Sequence, residues 1–129
     1  MTRLPILAAA ALALAAPARA QTVTYPACGV TDGDSLICAG ARIRIWGIDA
    51  AERHTPAGQA ATRAMAALIR GRLVTCTTRP GSAGRDRYGR TVARCFAGGR
   101  DLAAEMVRTG HARDYPRFSR GFYAQGRGR

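Results

Sequence analysis

The chain has 129 residues and a formal net charge of +12, because its 20 basic residues (all arginine, with no lysine) face only 8 acids. This length leaves room for one folded domain. A small domain this basic attracts polyanions at long range, so nucleic acid or an anionic envelope surface is its favoured partner.

The N-terminus has the pattern of a secretory signal peptide. Arg3 gives a basic start, Ile6–Ala16 is an apolar run, and Ala18-Arg19-Ala20 matches the A-x-A cleavage pattern. We predict a signal peptide at residues 1–20, with cleavage after Ala20. An uncleaved anchor is the alternative, but the apolar run is too short to span a bilayer comfortably. The mature protein is therefore expected to be secreted or periplasmic, with no stable membrane insertion and a net charge of about +10.

The four cysteines fit an oxidising compartment, where three pairings are possible. Cys28 and Cys38 lie equally far from Gly33, and Cys76 and Cys95 flank a Gly- and Arg-rich loop symmetrically. We predict the disulfides Cys28–Cys38 and Cys76–Cys95. A zinc site is the alternative, but no close Cys/His spacing supports it.

Short strands open the domain. Thr22–Val30 contains a proline and predicts an edge or entry strand. A tight DGD turn follows, then a return strand at Ser35–Cys38. In Ala41–Ile48, isoleucines alternate with arginines, which indicates a half-buried strand.

The second half adds helices and two more strands. Thr55-Pro56 predicts a helix start and Gly71 its end, and a second helix is expected over Asp101–Thr109. Leu73–Thr77 and Arg90–Phe96 are the fourth and fifth strands, separated by a Gly-rich loop. Five strands with a helix after the third predict an α+β, mainly β fold: a five-stranded OB-fold barrel with two to three helices.

Half of the acids lie in one stretch, at the ends of the Val30–Glu52 segment: Asp32, Asp34, Asp49 and Glu52. A hairpin followed by a third strand can bring Asp34 and Asp49 together. Carboxylates gathered beside arginines suit a hard cation and a phosphate.

Four blocks of sequence, VTDGDSL, RIRIWGIDAAE, DRYGRTVA and LAAEMVRTGHA, together resemble the staphylococcal-nuclease-like (thermonuclease) family. The resemblance runs from Val30 to about Tyr123. It implies one nuclease domain over residues 21–123, with a truncated C-terminal helix and a basic, disordered tail at 124–129. It also implies a monomer that cuts DNA, most simply at internal bonds and with little sequence preference, with RNA left open as a substrate.

The resemblance implies a metal site. Asp34 and Asp49 match the two carboxylate ligands, and the backbone carbonyl of Ala50 matches a third ligand. Calcium is the expected ion, and magnesium or manganese stays open. Asp32, in the same turn, is expected to be structural.

Catalytic and substrate-binding roles follow from the same blocks. Arg44 and Arg90 match the two arginines that grip the phosphate, and Glu52 matches the residue that activates water. Tyr88 matches a tyrosine beside the bound phosphate, and Tyr115 is the best match for a tyrosine that stacks near the nucleotide. Arg87 is one of several arginines expected to follow the nucleic-acid backbone.

Two residues depart from the family pattern. Ser35 replaces the usual threonine and keeps the hydroxyl, whereas Ala51 replaces the usual proline before Glu52. Two other functions stay open: a non-catalytic, extracellular nucleic-acid-binding OB module, and a protein that binds anionic surfaces. Neither of these needs the glutamate.

Overall fold

The computed structural model describes residues 2–12, 19–79 and 84–124. Within these ranges the chain forms one large mixed sheet, one small sheet and three helices. The strands are Thr22–Tyr25 (β1), Cys28–Asp32 (β2), Ser35–Cys38 (β3), Ala41–Ile45 (β4), Ile48–Asp49 (β5), Val74–Thr78 (β6), Thr91–Ala97 (β7), Arg100–Asp101 (β8) and Arg113–Asp114 (β9). The helices are Pro56–Ile69 (α1), Leu102–Arg108 (α2) and Pro116–Ser119 (α3).

The main sheet has the strand order β1-β6-β7-β4-β3-β2, with β8 paired to β7, while β5 and β9 pair separately. The β4–β7 pair is parallel, so the sheet is mixed. The described strands form no closed barrel, so the expected five-stranded barrel is not confirmed. The predicted α+β, mainly β class is confirmed, with three helices.

Pro26 interrupts the predicted first strand of the sheet. Pro26 has no backbone N–H, so the predicted first strand is split into β1, which pairs with β6, and β2, which pairs with β3. The ends of these two strands, Tyr25 and Cys28, can be at most about 11 Å apart because only two residues separate them. Since β1 and β2 lie at opposite ends of the strand order, the sheet must curve strongly to bring them together.

Both predicted disulfides are confirmed. Cys28 lies opposite Cys38 in the β2–β3 hairpin, and Cys76 lies opposite Cys95 in the β6–β7 pair. Each bridge therefore joins neighbouring antiparallel strands, as the symmetry of the cysteines about their turns predicts.

Strand β4 has the predicted alternation. Ile43 and Ile45 are buried in the core, whereas Arg42 is exposed and Arg44 is half-buried. The core that β4 enters lies between the curved sheet and the helices α1 and α2. Its largest fully buried side chains come from all of these elements: Leu36, Ile43, Ile45, Ile48, Met65, Leu102, Met106 and Val74.

Helix α1 begins where the sequence predicts but faces the core with a neighbouring stripe. Thr55 is its N-cap and accepts a hydrogen bond from the Gly58 N–H at 3.0 Å. The apolar spacing predicts a core face of Ala60, Ala64, Ala67 and Leu68 with Ala61, Met65 and Ile69 adjoining it, and the fully buried residues are Gly58, Ala61, Met65 and Ile69. Ala67 is exposed, so its assignment to the core is wrong. The helix turns this way because Gly58 and Ala61 pack against the loops of the site.

The C-terminal segment closes one end of the core. Asp101 caps α2 as predicted, and its carboxylate also accepts a hydrogen bond from the Tyr123 hydroxyl at 2.9 Å. Trp46 packs against the rings of Phe122 and Tyr123. The last described helix, α3, has only four residues.

Two predictions about the termini, the signal peptide and the disordered tail, are not tested by the described residues. Residues 2–12 are exposed and lack regular secondary structure, and residues 13–18 of the predicted signal peptide lie outside the described residues. Of the predicted tail, Ala124 is exposed and residues 125–129 also lie outside them. None of the helices in the described ranges is both long and apolar enough to cross a membrane.

Candidate active site

A pocket of about 210 Å³ lies where the β2–β3 turn, β4 and the loop after β5 meet. Four of the protein's eight acids line it, together with two arginines. The lining charged residues are Asp32, Asp34, Asp49, Glu52, Arg44 and Arg90. With all of them ionised, the pocket carries a charge of −2 in a strongly basic protein.

The Asp34 carboxylate is fixed by its own turn and by the loop across the pocket. It is buried, with 8% of its surface exposed. Its Oδ1 accepts a hydrogen bond from the Ser35 hydroxyl at 2.9 Å, and its Oδ2 accepts one from the Ala50 N–H at 2.9 Å. The backbone carbonyl of Asp34 accepts the N–H of Ile45, which ties the turn to β4. The hydroxyl that Ser35 retains therefore orients a carboxylate.

Glycine in the DGD turn is required by close packing. A Cβ at Gly33 would lie 2.6 Å from the Cβ of Ala61 and 3.0 Å from the Cβ of Ala50. The first distance is shorter than real Cβ contacts and the second is tighter than most of them, so only glycine lets α1 and the loop after β5 approach the turn this closely. This packing is what brings Asp34 and Asp49 together from distant parts of the sequence.

Arg44 lies between the two aspartates. Its Nη2 is 3.5 Å from Asp34 Oδ2 and 3.9 Å from Asp49 Oδ1, and it donates to the Ile48 carbonyl at 2.9 Å. Its Nη1 donates to the Ile45 carbonyl at 2.7 Å. Two of the five guanidinium N–H donors are thus used by the backbone. These bonds hold the group in one orientation and leave its other donors facing acidic oxygens.

Asp49 faces the pocket from the edge of the small sheet. Its side chain is 45% exposed, and its Oδ2 lies 3.9 Å from Arg113 Nη2, which the β5–β9 pairing brings opposite it. A long ion pair to a well-exposed arginine stabilises little. The Asp49 carboxylate therefore stays available to another cation.

The donor set fits a hard cation that keeps several water molecules. Asp34 and Asp49 converge on one point, presently contacted by the Arg44 guanidinium, and both offer oxygen. The described residues contain no group of three His, Cys, Asp or Glu side chains able to hold a metal ion. Two carboxylates and backbone oxygen suit Ca²⁺ or Mg²⁺ better than zinc, which prefers closed nitrogen and sulfur sites. The Ala50 N–H donates a hydrogen bond to the Asp34 carboxylate, so Ala50 belongs to the same cluster as the two aspartates.

Glu52 lies at the mouth of the pocket, and its backbone is clamped by the start of α1. Its carbonyl accepts the Thr55 N–H at 2.9 Å and the Thr55 hydroxyl at 2.7 Å. Gly58 packs so closely beneath it that an added Cβ would lie 1.8 Å from the Glu52 carbonyl oxygen. The helix N-terminus thus fixes the loop that carries Glu52, whereas the Glu52 side chain itself is exposed to solvent.

Arg90 reaches the pocket from the opposite side, held by an aspartate in its own loop. Its Nε donates to Asp86 Oδ2 at 2.6 Å, and Asp86 Oδ1 also accepts the backbone N–H groups of Tyr88 and Arg90. Burial alone would raise the pKa of Asp86, but these hydrogen bonds and the Arg90 charge bring that pKa below its usual value. The two Nη groups of Arg90 make no hydrogen bond within the described residues and remain available to an anion.

Tyr88 and Arg87 lie next to Arg90 but do not line the pocket. The Tyr88 ring is 57% exposed, with the Arg90 guanidinium 5.3 Å and the Arg87 guanidinium 5.0 Å from its centre. Arg87 also donates to the Tyr88 hydroxyl at 2.9 Å. They form an exposed aromatic and cationic surface at the edge of the pocket.

Tyr115 is separate from this cluster. Its ring packs against Phe118 and its N–H donates to the Gly47 carbonyl, and neither pocket described in this chain is lined by it. The structure therefore brings together Asp34, Asp49, Ala50, Arg44, Glu52 and Arg90, with Tyr88 and Arg87 alongside, but not Tyr115.

Asp32 shares the pocket, and its carboxylate accepts a hydrogen bond from the backbone N–H of Arg53. Burial raises the pKa of its carboxyl, and the neighbouring Asp34 charge raises it further. The raised pKa therefore reflects burial first and the crowding of acids at the turn second, partly offset by Arg53.

Sequence reasoning missed three residues that organise the site. Asp86 positions Arg90, and the signal was an aspartate four residues before an arginine within a Gly-containing loop. Thr55 and Gly58 were assigned to the helix alone, although a glycine in the first turn of an alanine-rich helix was a sign of close packing.

Comparison with known proteins gives two matches. A family model described as "Staphylococcal nuclease homologue" matches residues 42–125, which is more than half of the chain. The succinoglycan biosynthesis protein ExoI of Rhizobium meliloti (strain 1021) is 33% identical over 106 residues, covering 74% of this chain. The match covers 54% of ExoI, so the chain spans about half the length of that curated relative.

Proposed function

This chain belongs to the staphylococcal nuclease homologue family, and on that premise we propose that it is a metal-dependent phosphodiesterase of the periplasm or the external medium. Its substrate is DNA, and RNA as well, cut at internal bonds with little sequence preference. The main support is the pocket of about 210 Å³, in which four carboxylates and two arginines meet.

The charges of this pocket suit a phosphodiester only when a divalent cation is bound. A net charge of −2 repels the phosphate, and a divalent cation held by Asp34, Asp49 and the Ala50 carbonyl cancels it. When bound, such an ion polarises a phosphoryl oxygen and neutralises the charge that builds up on it. Ca²⁺ is the proposed ion because the donors are hard oxygens in a partly open site.

The arginines bind the two non-bridging phosphate oxygens. Arg44 is oriented by the Ile45 and Ile48 carbonyls, and Arg90 by Asp86, so neither side chain must be ordered when the substrate arrives. Guanidinium groups grip phosphate oxygens with paired donors and keep their charge at any working pH. Donors aimed at the growing negative charge stabilise the pentacoordinate state more than the ground state.

Glu52 accepts a proton from the attacking water. The water oxygen forms a bond to phosphorus in line with the leaving oxygen, whose bond to phosphorus breaks, and the leaving oxygen takes a proton from solvent. The products are a phosphomonoester and a free hydroxyl. The exposed position of Glu52 at the mouth of the pocket suits this role, because the water must come from solvent.

The location outside the cytoplasm is supported by the two disulfides and by the signal-peptide pattern of residues 1–20. A basic, single-domain nuclease that meets external nucleic acid needs no other subunit, so we propose a monomer. Its charge would collect nucleic acid, and little in the pocket reads base identity.

The test separates binding from cleavage with the variant Glu52→Gln. The wild type and the variant are given end-labelled single-stranded DNA with Ca²⁺, and binding is followed by gel shift without divalent cation. Cleavage should fall by about 100-fold or more while binding stays within about twofold, since the change keeps the shape of the side chain. Equal cleavage by both proteins would remove Glu52 from the mechanism. The matched control is Gln59→Glu, which adds a carboxylate to the exposed face of α1.

A further inference from the structure

A second and larger pocket, of about 510 Å³, adjoins the first. The two share one wall, the loop from Asp49 to Glu52. Its other side is formed by the first turns of α1 and by the turn from α2 to β9. The residues that line it outside the shared loop are Ala57, Ala60, Gly110, His111, Ala112 and Arg113. Its volume is in the range of pockets that bind small organic ligands.

The pocket combines an apolar floor with two groups suited to a nucleotide. Ala57 and Ala60 present methyl groups from α1 and leave room above them. The half-buried His111 offers a flat ring, and its Nδ1 is held by the Thr109 hydroxyl at 2.9 Å. Histidine rings, like other aromatic side chains, stack on unpaired bases.

Arg113 supplies the charge at the open edge. Its side chain is 87% exposed, and the described residues give it one ion pair, the 3.9 Å contact with Asp49. Such a long, exposed contact is readily exchanged for a phosphate. The second pocket lies beside the first, across the 49–52 loop, so a strand whose phosphate occupies the first pocket can continue into it.

We propose that the second pocket is a subsite for the nucleotide next to the cleaved phosphodiester. Its base lies over Ala57 and Ala60 against the His111 ring, and the following phosphate contacts Arg113. This inference rests on the proposed function, because it assumes that the first pocket takes the phosphodiester. It makes single-stranded nucleic acid the preferred substrate, since a paired base could not enter a pocket built from one helix and one turn.

The test is a binding experiment, so it does not depend on cleavage. Short, end-labelled single-stranded DNA is titrated by fluorescence anisotropy with Ca²⁺, in the Glu52→Gln background so that it is not cut, first intact and then with one base removed at each position in turn. In this background, removal of one particular base should weaken binding about tenfold, the size of one base stack. Ala60→Leu fills the pocket and should weaken binding of intact DNA by about the same factor. The two changes together should weaken binding no further than either alone.

Two further variants complete the design. Arg113→Ala should reduce the dependence of log Kd on log salt by about one phosphate contact. Ala67→Leu, on the exposed face of the same helix, is the matched control and should bind every DNA as the Glu52→Gln parent does. Circular dichroism confirms that each variant is folded.

The proposal is overturned if Ala60→Leu binds intact DNA as tightly as Ala67→Leu does, or if its effect adds in full to that of the missing base. An unchanged salt dependence in Arg113→Ala would remove the phosphate contact. Failure of the proposed nuclease function is a separate result, seen as wild-type protein that binds DNA in this assay but does not cut it with any cation.

Discussion

Replacing Gly58 with alanine should disable the site without contacting the substrate. The new Cβ would lie 1.8 Å from the Glu52 carbonyl oxygen and 2.8 Å from the Ala51 carbonyl oxygen, whereas ordinary contacts begin at 3.4 Å. The helix and the loop must therefore separate by about 1.6 Å. A displacement of about 1 Å at a catalytic group can cost about 100-fold in rate. We expect Gly58→Ala to lower kcat for DNA cleavage by at least about that factor.

The same change should also lower the stability of the fold. Overpacking typically costs about 1–3 kcal/mol. Alanine is favoured over glycine inside a helix by about 1 kcal/mol, which offsets part of this cost. The net loss in the free energy of unfolding should therefore be about 2 kcal/mol or more, because the new Cβ meets backbone atoms, which cannot move aside as a flexible side chain can. Urea unfolding of the variant measures it, and kcat is then determined under conditions where the variant is fully folded.

Gly29→Ala is the matched control, because the nearest atom to its new Cβ is the Ile37 carbonyl oxygen at 3.9 Å. It should cleave DNA at the wild-type rate. Gly58→Ala should also add nothing to the loss already caused by Glu52→Gln, because both changes act on the same group. Full activity in Gly58→Ala, or an additive loss in the double variant, would refute the idea that α1 positions Glu52.

Three further changes test how the fold supports the site. Asp86→Asn should lower the free energy of unfolding at neutral pH. The difference from the wild type should shrink as pH falls through and below 3.8, because the folded-state pKa of Asp86 lies below that ordinary value. A difference in urea unfolding that stays constant across this range would contradict the role of the ionised carboxylate in holding Arg90. Tyr123→Phe removes the hydroxyl that donates to the buried Asp101 and should lower the free energy of unfolding, measured with urea, by about 2 kcal/mol. Tyr25→Phe is the control, and equal stability of the two variants would contradict the role of this hydrogen bond. Replacing both cysteines of the β6–β7 disulfide with serine should lower the free energy of unfolding by about 3 kcal/mol. The loss should be about 0.6 kcal/mol larger than for the same change in the β2–β3 disulfide, since the β6–β7 disulfide closes a loop of 19 rather than 10 residues. A larger loss from the shorter loop would contradict the chain-entropy argument.

The sequence predicts the local structure well where one residue type has one physical role. Thr55-Pro56 marks the start of α1, and Asp101 caps α2, because cap and proline positions follow from backbone hydrogen bonding alone. The cysteine pairs follow from their symmetry about two turns. These features depend on neighbours in the sequence.

The parts that the sequence does not predict depend on packing between distant segments. The barrel was expected from five strands, but Pro26 splits the first of them and three two-residue strands are added at edges. The fully buried stripe of α1 is the adjoining one, because Gly58 and Ala61 pack closely on the loops of the site while the helix lies against β2. Alanine spacing alone could not distinguish the two stripes, since most of the helix is apolar.

The candidate site likewise has features that the sequence predicts and features that depend on packing between distant segments. Family blocks predict that Asp34, Asp49, Arg44, Glu52 and Arg90 act together, and the structure brings them to one pocket. The contacts that orient them come from residues to which the family pattern assigns no role, such as the carboxylate of Asp86 and the hydroxyl of Thr55. Tyr115 was the best match to a family tyrosine that stacks near the nucleotide, and in the fold its ring packs on Phe118 and does not line the pocket.

The most direct test of the central claim is digestion of DNA by the oxidised protein from Gln21 onward. Single- and double-stranded DNA are incubated with Ca²⁺, with Mg²⁺, with Mn²⁺ and with a chelator, and the products are resolved on a denaturing gel. The account predicts cleavage with Ca²⁺, faster on single strands, and none with the chelator. A folded protein that shifts DNA on a native gel but cuts it with none of these cations would contradict the account and would favour a nucleic-acid-binding module.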